Sequence, residues 1–143
     1  MMISTKGRYA LRVLVDLAEQ QTGSYIPLKE VADRQEISEK YLESIMKQLV
    51  RAGFLEGVRG KGGGYRLTNA PDQYTVGSIL RVMEGPLAPV ACLEQETVRC
   101  HRAPHCRTLP MWQKLDTLVN EFFDGITLAD LMAPERAGND YVI

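Results

Sequence analysis

Residues 57–64 constrain the possible fold of this chain more than any other segment does, because five of these eight residues are glycine. They join two short segments, 54–56 and 65–67, whose composition is typical of β-strands. Glycine allows a backbone to turn tightly and to approach another surface closely, and Arg59 and Lys61 make the segment basic. It lacks the Lys-Ser/Thr pair that ends a phosphate-binding P-loop. The segment therefore predicts a β-hairpin whose basic tip contacts a phosphate or a groove.

Three amphipathic helices are predicted before this hairpin. Apolar residues recur at helical spacing within residues 4–19, and Pro27 can begin a short second helix. Ser38 can cap a third helix that Gly53 ends, and the apolar stripe of this helix has the spacing i, i+3, i+4, i+7: Leu42, Ile45, Met46 and Leu49. Helices of this kind can simply form a core. Two of them followed by a basic hairpin predict a winged helix-turn-helix domain, here residues 1–70.

The second part of the chain, residues 71–132, is predicted to hold a helix from Thr75, a loop at about 85–110 and a second helix at about 111–123. Four of the seven prolines and all three cysteines fall in the loop. The second helix carries more apolar surface than one small domain needs. This surplus favours a dimerisation helix over a helix that only packs back on the first domain.

The expected fold class is therefore mainly α with a small β wing: a winged helix-turn-helix domain followed by a long C-terminal dimerisation helix. Thr127 and Asp130 have the spacing of a capping pair for one last short helix. Beyond it, residues 133–143 are expected to be a flexible tail.

Charge is distributed unevenly along the 143 residues, although 17 basic and 18 acidic side chains nearly cancel. Residues 1–68 hold 11 basic and 8 acidic side chains, whereas residues 69–143 hold 6 and 10. A basic first half suits contact with nucleic acid. No apolar run approaches the roughly 18 residues that span a bilayer, and residues 1–12 lack the apolar stretch of a secretory signal. We therefore expect a cytoplasmic protein with no membrane partner.

Three cysteines, Cys92, Cys100 and Cys106, have the spacing Cys-x7-Cys-x5-Cys. An odd number in a chain without an export signal argues for a ligand set or reactive thiols rather than for disulfides. Three thiolates suit an iron–sulfur cluster. Zinc is the runner-up, because His101 or His105 can complete a Cys3His set but the close cysteine pair usual for zinc is missing. Without a Cys-x-x-Cys redox pair or an acid–base set, we expect no enzyme.

Three stretches carry a resemblance to a known family: STKGRYALRVLVDLA at 4–18, ISEKYLE at 37–43 and VRGKGGGYRL at 58–67. They resemble the bacterial winged-helix transcription regulators that include IscR, NsrR and CymR. The resemblance extends through 77–86 and Trp112 to residue 132. It implies a homodimer with crossed C-terminal helices that binds a pseudo-palindromic promoter site. The third helix would enter the major groove of double-stranded DNA, and the wing would reach the adjacent minor groove.

The resemblance also assigns candidate DNA-binding residues to the third helix and the wing. Lys40 can neutralise a phosphate, and Arg59 suits a narrow, electronegative minor groove. Glu43 is repelled by phosphate unless it accepts a hydrogen bond from a base such as cytosine, so it should select among sequences. The full set is Ser38, Lys40, Tyr41, Glu43, Ser44, Lys47, Arg59, Gly60, Lys61 and Gly62.

Three cysteines in this loop make the chain closest in character to the IscR type, which implies a 2Fe–2S cluster on Cys92, Cys100 and Cys106, although the gap before Cys100 is two residues longer than is usual in cluster-binding members. Two positions depart from that pattern: Leu109 stands where IscR has a fourth ligand, and Arg8 where some relatives have an acidic one. His101 or His105 remains possible as the fourth ligand. Residues 81–90 look like the CymR type, which acts without a cluster and through a protein partner. A cluster-independent repressor of cysteine and sulfur metabolism and a zinc-stabilised interaction module therefore stay open as alternatives.

Overall fold

Six α-helices and one two-stranded antiparallel sheet make up the parts of the chain that the computed structural model describes, residues 2–21 and 23–133. In chain order they are α1 (Thr5–Glu19), α2 (Leu28–Gln35), α3 (Glu39–Arg51), β1 (Leu55–Val58), β2 (Gly64–Leu67), α4 (Val76–Glu84), α5 (Leu109–Asp124) and α6 (Leu128–Leu131). The prediction of a mainly α fold with a small β wing is confirmed. Of the predicted flexible tail, residues 134–143 lie outside the described residues.

Side-chain caps begin four of the helices. The Ser4 hydroxyl accepts a hydrogen bond from the Gly7 amide at 3.2 Å, and Thr75 caps α4 in the same way. Ser38 caps α3, and Thr127 with Asp130 forms a reciprocal capping box on α6. The capping roles predicted for Ser38 and for the Thr127–Asp130 pair are confirmed.

The predicted ends of three elements were wrong by one or two residues, since β1 ends at Val58 rather than at 56, β2 begins at Gly64 rather than at 65, and α5 is Leu109–Asp124 rather than about 111–123. Phe54 lies outside β1 because its amide donates to the Leu49 carbonyl at 3.0 Å, while the amide of Gly53, at φ +84°, donates to Val50. This double closure is the Schellman motif, so Phe54 still belongs to the end of α3. Helix α5 begins at Leu109 rather than at 111, because proline is tolerated in a first helical turn, where Pro110 lies.

The main core lies among α1, α2 and α3, where Leu14, Leu42 and Ile45 are fully buried. A smaller cluster of Val76, Leu80 and Leu87 packs against α5. In the described part of the chain, no helix combines the length and apolar character needed to cross a membrane.

Two polar contacts fix α4 to the helices on either side of it, α1 in the first part of the chain and α5 in the second. Glu84, the last residue of α4, accepts hydrogen bonds from the Ser4 amide and hydroxyl at 2.8 and 2.7 Å, so it binds the N-terminus of α1. Arg81 of α4 forms a bidentate pair with Asp124 of α5 at 2.8 and 2.9 Å. The loop between α4 and α5 therefore starts and ends on helices that are anchored.

Asp16 is the one buried charged side chain of the described core, and it ties α1 to α2. It is 4% exposed and accepts hydrogen bonds from the guanidinium of Arg34 at 2.8 to 3.2 Å and from the amide of Gln35 at 2.8 Å. The hydrogen bonds with Asp16 raise the pKa of Arg34. A carboxylate held by this many donors positions α2 relative to α1.

We expect Asp16→Asn to lower the free energy of unfolding by about 2 kcal/mol. Removing one member of a buried pair typically costs about 3–5 kcal/mol, and the effect is smaller here because the Arg34 side chain is 35% exposed. Urea denaturation measures the change. Asp33→Asn is the control, since its pair with Lys29 is 67% and 72% exposed and should contribute less than about 0.5 kcal/mol. Equal losses for both variants would contradict the structural role of Asp16.

Candidate nucleic-acid interface and cysteine loop

Helix α3 buries one face and exposes the other. Its apolar stripe of Leu42, Ile45, Met46 and Leu49 is 0% exposed. All ten predicted DNA-binding residues, on α3 and at the wing tip, are exposed. The helix therefore presents its polar face to solvent and is fixed to the core by the opposite face.

Local hydrogen bonds limit the further hydrogen bonds that Ser38 and Ser44 can form. The Ser38 hydroxyl accepts from the Tyr41 amide at 3.2 Å, so its first role is to cap α3. The Ser44 hydroxyl donates to the Tyr41 carbonyl at 2.8 Å. In this conformation Ser44 can accept a hydrogen bond from a base, but its proton is not free to donate to a phosphate.

The Tyr41 ring is supported from α1. It packs edge-on against Tyr9, with ring centroids 5.8 Å apart, and the guanidinium of Arg12 lies 4.9 Å from the centre of the Tyr9 ring. Arg12 also donates to the Gln35 side chain at 3.2 Å. Contacts between α1 and α2 thereby hold Tyr41 in place at the exposed surface.

The hairpin of β1 and β2 forms the wing, and its glycines allow a close approach to the rest of the domain. Tyr65 exchanges two backbone hydrogen bonds of 2.8 Å with Ile26, which forms an isolated antiparallel β-bridge beside the sheet. A Cβ atom on Gly64 would lie 2.2 Å from the Ile26 carbonyl oxygen, and Gly60 has φ +91°. Only glycine suits these two positions.

Arg66 does not contribute free positive charge to the wing. Its guanidinium donates to Glu56 at 2.9 Å and lies 4.3 Å from the centre of the Tyr25 ring. The sequence places Arg66 in the same acid-free stretch as Arg59 and Lys61, but cross-strand pairing puts it opposite Glu56. The basic tip is therefore limited to Arg59 and Lys61.

A groove of about 920 Å³ separates α3 from the wing. Five residues of α3 line it: Val50 and four charged residues at four-residue spacing, Glu39, Glu43, Lys47 and Arg51. Its other walls come from the start of α2, including Lys29, and from the wing, including Arg59. Lys29 and Arg51 are not among the DNA-binding residues predicted from the sequence. Arg51 could have been found by continuing the stripe of Lys47 by one turn, whereas the position of Lys29 depends on the contact of Ile26 with the wing.

The three cysteines lie in the loop between α4 and α5, and none forms a disulfide. Cys92 and Cys106 are partly buried, whereas Cys100 is exposed, as are His101 and His105. Within residues 2–21 and 23–133, no three His, Cys, Asp or Glu side chains lie close enough together to hold a metal ion. Three free thiols supply the donor chemistry of an iron–sulfur site, but this conformation of the loop does not bring them together.

Hydrogen bonds around the Cys106 thiol favour its thiolate form. A hydrogen bond with the Thr108 hydroxyl, whose oxygen lies 3.5 Å from the sulfur, lowers the pKa of Cys106. The backbone amides of Thr108 and Leu109 and the charge of Arg102 act in the same direction. The sulfur lies immediately before α5, so chemistry at Cys106 acts at the start of that helix.

Helix α5 exposes a continuous apolar stripe. Its members are 38–56% exposed and follow at intervals of four, three and four residues: Met111, Leu115, Leu118 and Phe122. A neighbouring face packs on α4 through Val119 and Phe123. Alternating intervals of four and three residues are the heptad spacing with which two helices pair in a coiled coil.

The family model of Rrf2, described as an iron-dependent transcriptional regulator, matches residues 3–134. The chain belongs to the Rrf2 family. The predicted resemblance to the family of IscR and CymR is therefore confirmed, and the chain is a transcriptional regulator with the Rrf2 winged-helix fold.

Both named types of Rrf2 regulator are similar to this chain. The transcriptional regulator CymR of Bacillus subtilis is 41% identical over 131 residues, which cover 92% of this chain and 89% of CymR. The structure of CymR, a global cysteine regulator, superposes with a TM-score of 0.74 at 37% identity and covers 92% of this chain and 95% of that one. IscR of T. potens gives a TM-score of 0.72 at 36% identity, with coverage of 92% and 85%. The fold thus does not separate the two types, although the identity to CymR is the higher of the two.

Proposed function

We propose that this chain is a homodimeric regulator that reads a pseudo-palindromic promoter site with α3 and the wing, and that chemistry at its three cysteines changes this binding. The exposed polar face of α3, fixed to the core from behind and flanked by a basic wing tip, is the observation that carries the DNA-binding part. A two-fold arrangement would place two such helices in successive major grooves.

The residues of the interface divide by chemistry into those that add affinity and those that select sequence. Lys40, Arg59 and Lys61 are exposed cations that can contact phosphates or the minor groove. Glu43 is exposed on the groove side of α3 and adds repulsion at phosphates, so a favourable contact requires a donor on a base edge.

Glu43→Ala and Lys40→Ala should act differently, which tests the proposal. Glu43→Ala should broaden the set of sites recovered from a random duplex pool, whereas Lys40→Ala should weaken binding to all duplexes and reduce the log–log salt slope by about 0.9. Fluorescence anisotropy between 50 and 200 mM salt measures the slope. Wild-type binding without salt dependence would contradict DNA binding, and an unchanged site preference for Glu43→Ala would remove that residue from base reading.

Cys92, Cys100 and Cys106 are proposed to hold an iron–sulfur cluster, with the fourth ligand unassigned. The cluster would supply a redox- and iron-sensitive cross-link within the loop. Gathering three thiols requires the loop to leave its present arrangement. The loop begins after Glu84, which binds the N-terminus of α1, and Cys106 lies three residues before α5, so that movement would act on α1 and on α5.

A cluster-independent repressor that acts with a protein partner is the second candidate. It is favoured by the 41% identity to CymR and by Leu109 and Arg8, which replace ligand positions of cluster-binding relatives. The two candidates share the DNA interface and differ in whether the thiols take up iron and sulfide and in whether a protein partner modulates DNA binding.

A further inference from the structure

The hydroxyl of Tyr74 lies at the base of the wing, where both strands of the hairpin join the rest of the domain. Tyr74 is only 2% exposed. Its hydroxyl donates to the Phe54 carbonyl at 2.8 Å and accepts from the amides of Thr68 and Asn69 at 2.9 and 3.0 Å. Phe54 directly precedes β1, and Thr68 directly follows β2. One buried hydroxyl therefore joins the segments that enter and leave the wing.

Two further contacts close the base of the wing around this hydroxyl. The Tyr74 ring packs edge-on against the Phe54 ring, with centroids 5.6 Å apart. The Thr68 hydroxyl donates to the Gly53 carbonyl at 2.8 Å, which ties the end of β2 to the end of α3. A buried hydroxyl whose proton and acceptor positions are all used fixes its surroundings more narrowly than packing alone.

The backbone of Tyr74 is held from the other side, by the segment that follows α5. The Tyr74 carbonyl accepts from the Leu128 amide at 3.0 Å, and the Val76 amide donates to the Ile126 carbonyl at 2.8 Å. Residues 126–128 lie within four positions of the end of α5. Tyr74 thus connects the C-terminal end of the helix that carries the exposed apolar stripe to the base of the wing.

A small rotation at the base of the wing is amplified at its tip. Strand residues rise about 3.3 Å each, so Arg59 lies about 13 Å from Leu55, and a rotation of about 5° moves it by about 1 Å. A hydrogen bond is lost over a displacement of that size. The contacts that Arg59 and Lys61 can make therefore depend on how the base is fixed.

We propose that Tyr74 is a positioning residue of the DNA interface, which holds the wing at the angle at which Arg59 and Lys61 reach the minor groove. The inference rests on the proposed DNA-reading function. Tyr74 is buried and acts through the wing, without touching DNA itself. A phenylalanine would fill the same space in the core, so the hydroxyl is needed only for the groups at the base of the wing that it joins.

A double-mutant cycle separates positioning from a general loss of stability. Tyr74→Phe keeps the ring and should weaken binding to a duplex selected by the wild type from a random pool by roughly three- to tenfold. In the Arg59→Ala/Lys61→Ala background the same change should alter affinity by less than about twofold, because the wing contact is already absent. A smaller folded fraction would instead lower affinity by the same factor in both backgrounds.

The base pairs beneath the wing give a second measurement. Two duplexes share the sequence read by α3 and carry either A·T or G·C pairs where the wing lies. Runs of A·T pairs narrow the minor groove and attract arginine, so the wild type should prefer that duplex. Tyr74→Phe should lose most of this preference and keep the preference for the sequence read by α3. Thr68→Val, which removes the hydrogen bond to Gly53, should show the same loss to a smaller degree.

Tyr25→Phe is the matched control, since it removes a hydroxyl that lies 3.5 Å from Glu56 of β1 but no contact at the base of the wing. It should bind both duplexes as the wild type does. Equal losses for Tyr74→Phe in both backgrounds, or an unchanged preference for A·T pairs, would overturn the positioning role. Wild-type affinity for Arg59→Ala/Lys61→Ala would instead contradict the wing contact of the proposed function and, with it, the role of Tyr74.

Discussion

Leu118→Glu is expected to convert the protein from a dimer to a monomer and to lower its affinity for a two-half-site operator on the order of a hundredfold or more. Leu118 is 56% exposed at the centre of the stripe that Met111, Leu115 and Phe122 complete. A carboxylate there would be buried without a partner if two α5 helices pair through this stripe. Each half-site would then be bound by a separate monomer.

Sedimentation of the variant should give the mass of one 16.0 kDa chain where the wild type gives twice that mass. Gln113→Glu is the matched control, because it adds the same charge to the same helix at an exposed position outside the stripe. The control should remain dimeric and bind the operator as the wild type does. A dimer formed by Leu118→Glu at the same concentration would show that the stripe is not the interface.

The helices and their ends follow from local chemistry, which is why the sequence predicts them. Ser38, Thr75 and Thr127 are capping residues at the start of helical apolar patterns, and each caps a helix in the structure. The incorrect prediction that Phe54 belongs to a strand also comes from local chemistry. Its apolar side chain suits a strand, but its amide is used to close α3, a contact that depends on the left-handed conformation of Gly53.

The groove is harder to predict, because non-local contacts form it. Lys29 reaches the groove since Ile26 pairs with Tyr65, 39 positions further along the chain. Arg66 leaves the basic surface for a similar reason, because the strand register places it opposite Glu56. Sequence spacing identifies the charged residues of a hairpin, but the register decides which of them remain free.

The Cys92→Ala/Cys100→Ala/Cys106→Ala variant is expected to lose bound iron and sulfide and the response of operator binding to them. Wild-type protein prepared without oxygen should be brown, contain equal iron and acid-labile sulfide, and change operator affinity by about 5- to 150-fold when the metal is removed, the usual range of coupling between two sites. The variant should bind the operator with one affinity under both conditions, because three of the ligands are gone.

Iron, sulfide and zinc are measured on the same samples that are titrated with operator duplex. His101→Ala and His105→Ala are the matched single variants, since both side chains are exposed in the same loop. Loss of the cluster absorbance in only one of them would identify the fourth ligand. Retention in both would place that ligand elsewhere, on another side chain or on the partner subunit.

A colourless wild type that cannot be reconstituted with iron and sulfide, yet binds the operator fully, would contradict the cluster and support the cluster-independent repressor. Stoichiometric zinc with no effect of its removal on operator affinity would support a structural site instead. Iron binding without any change in operator affinity would contradict the coupling alone. In that case the movement of the loop would not reach α1 through Glu84, the last residue of α4, or α5 through Cys106, which lies three residues before that helix begins.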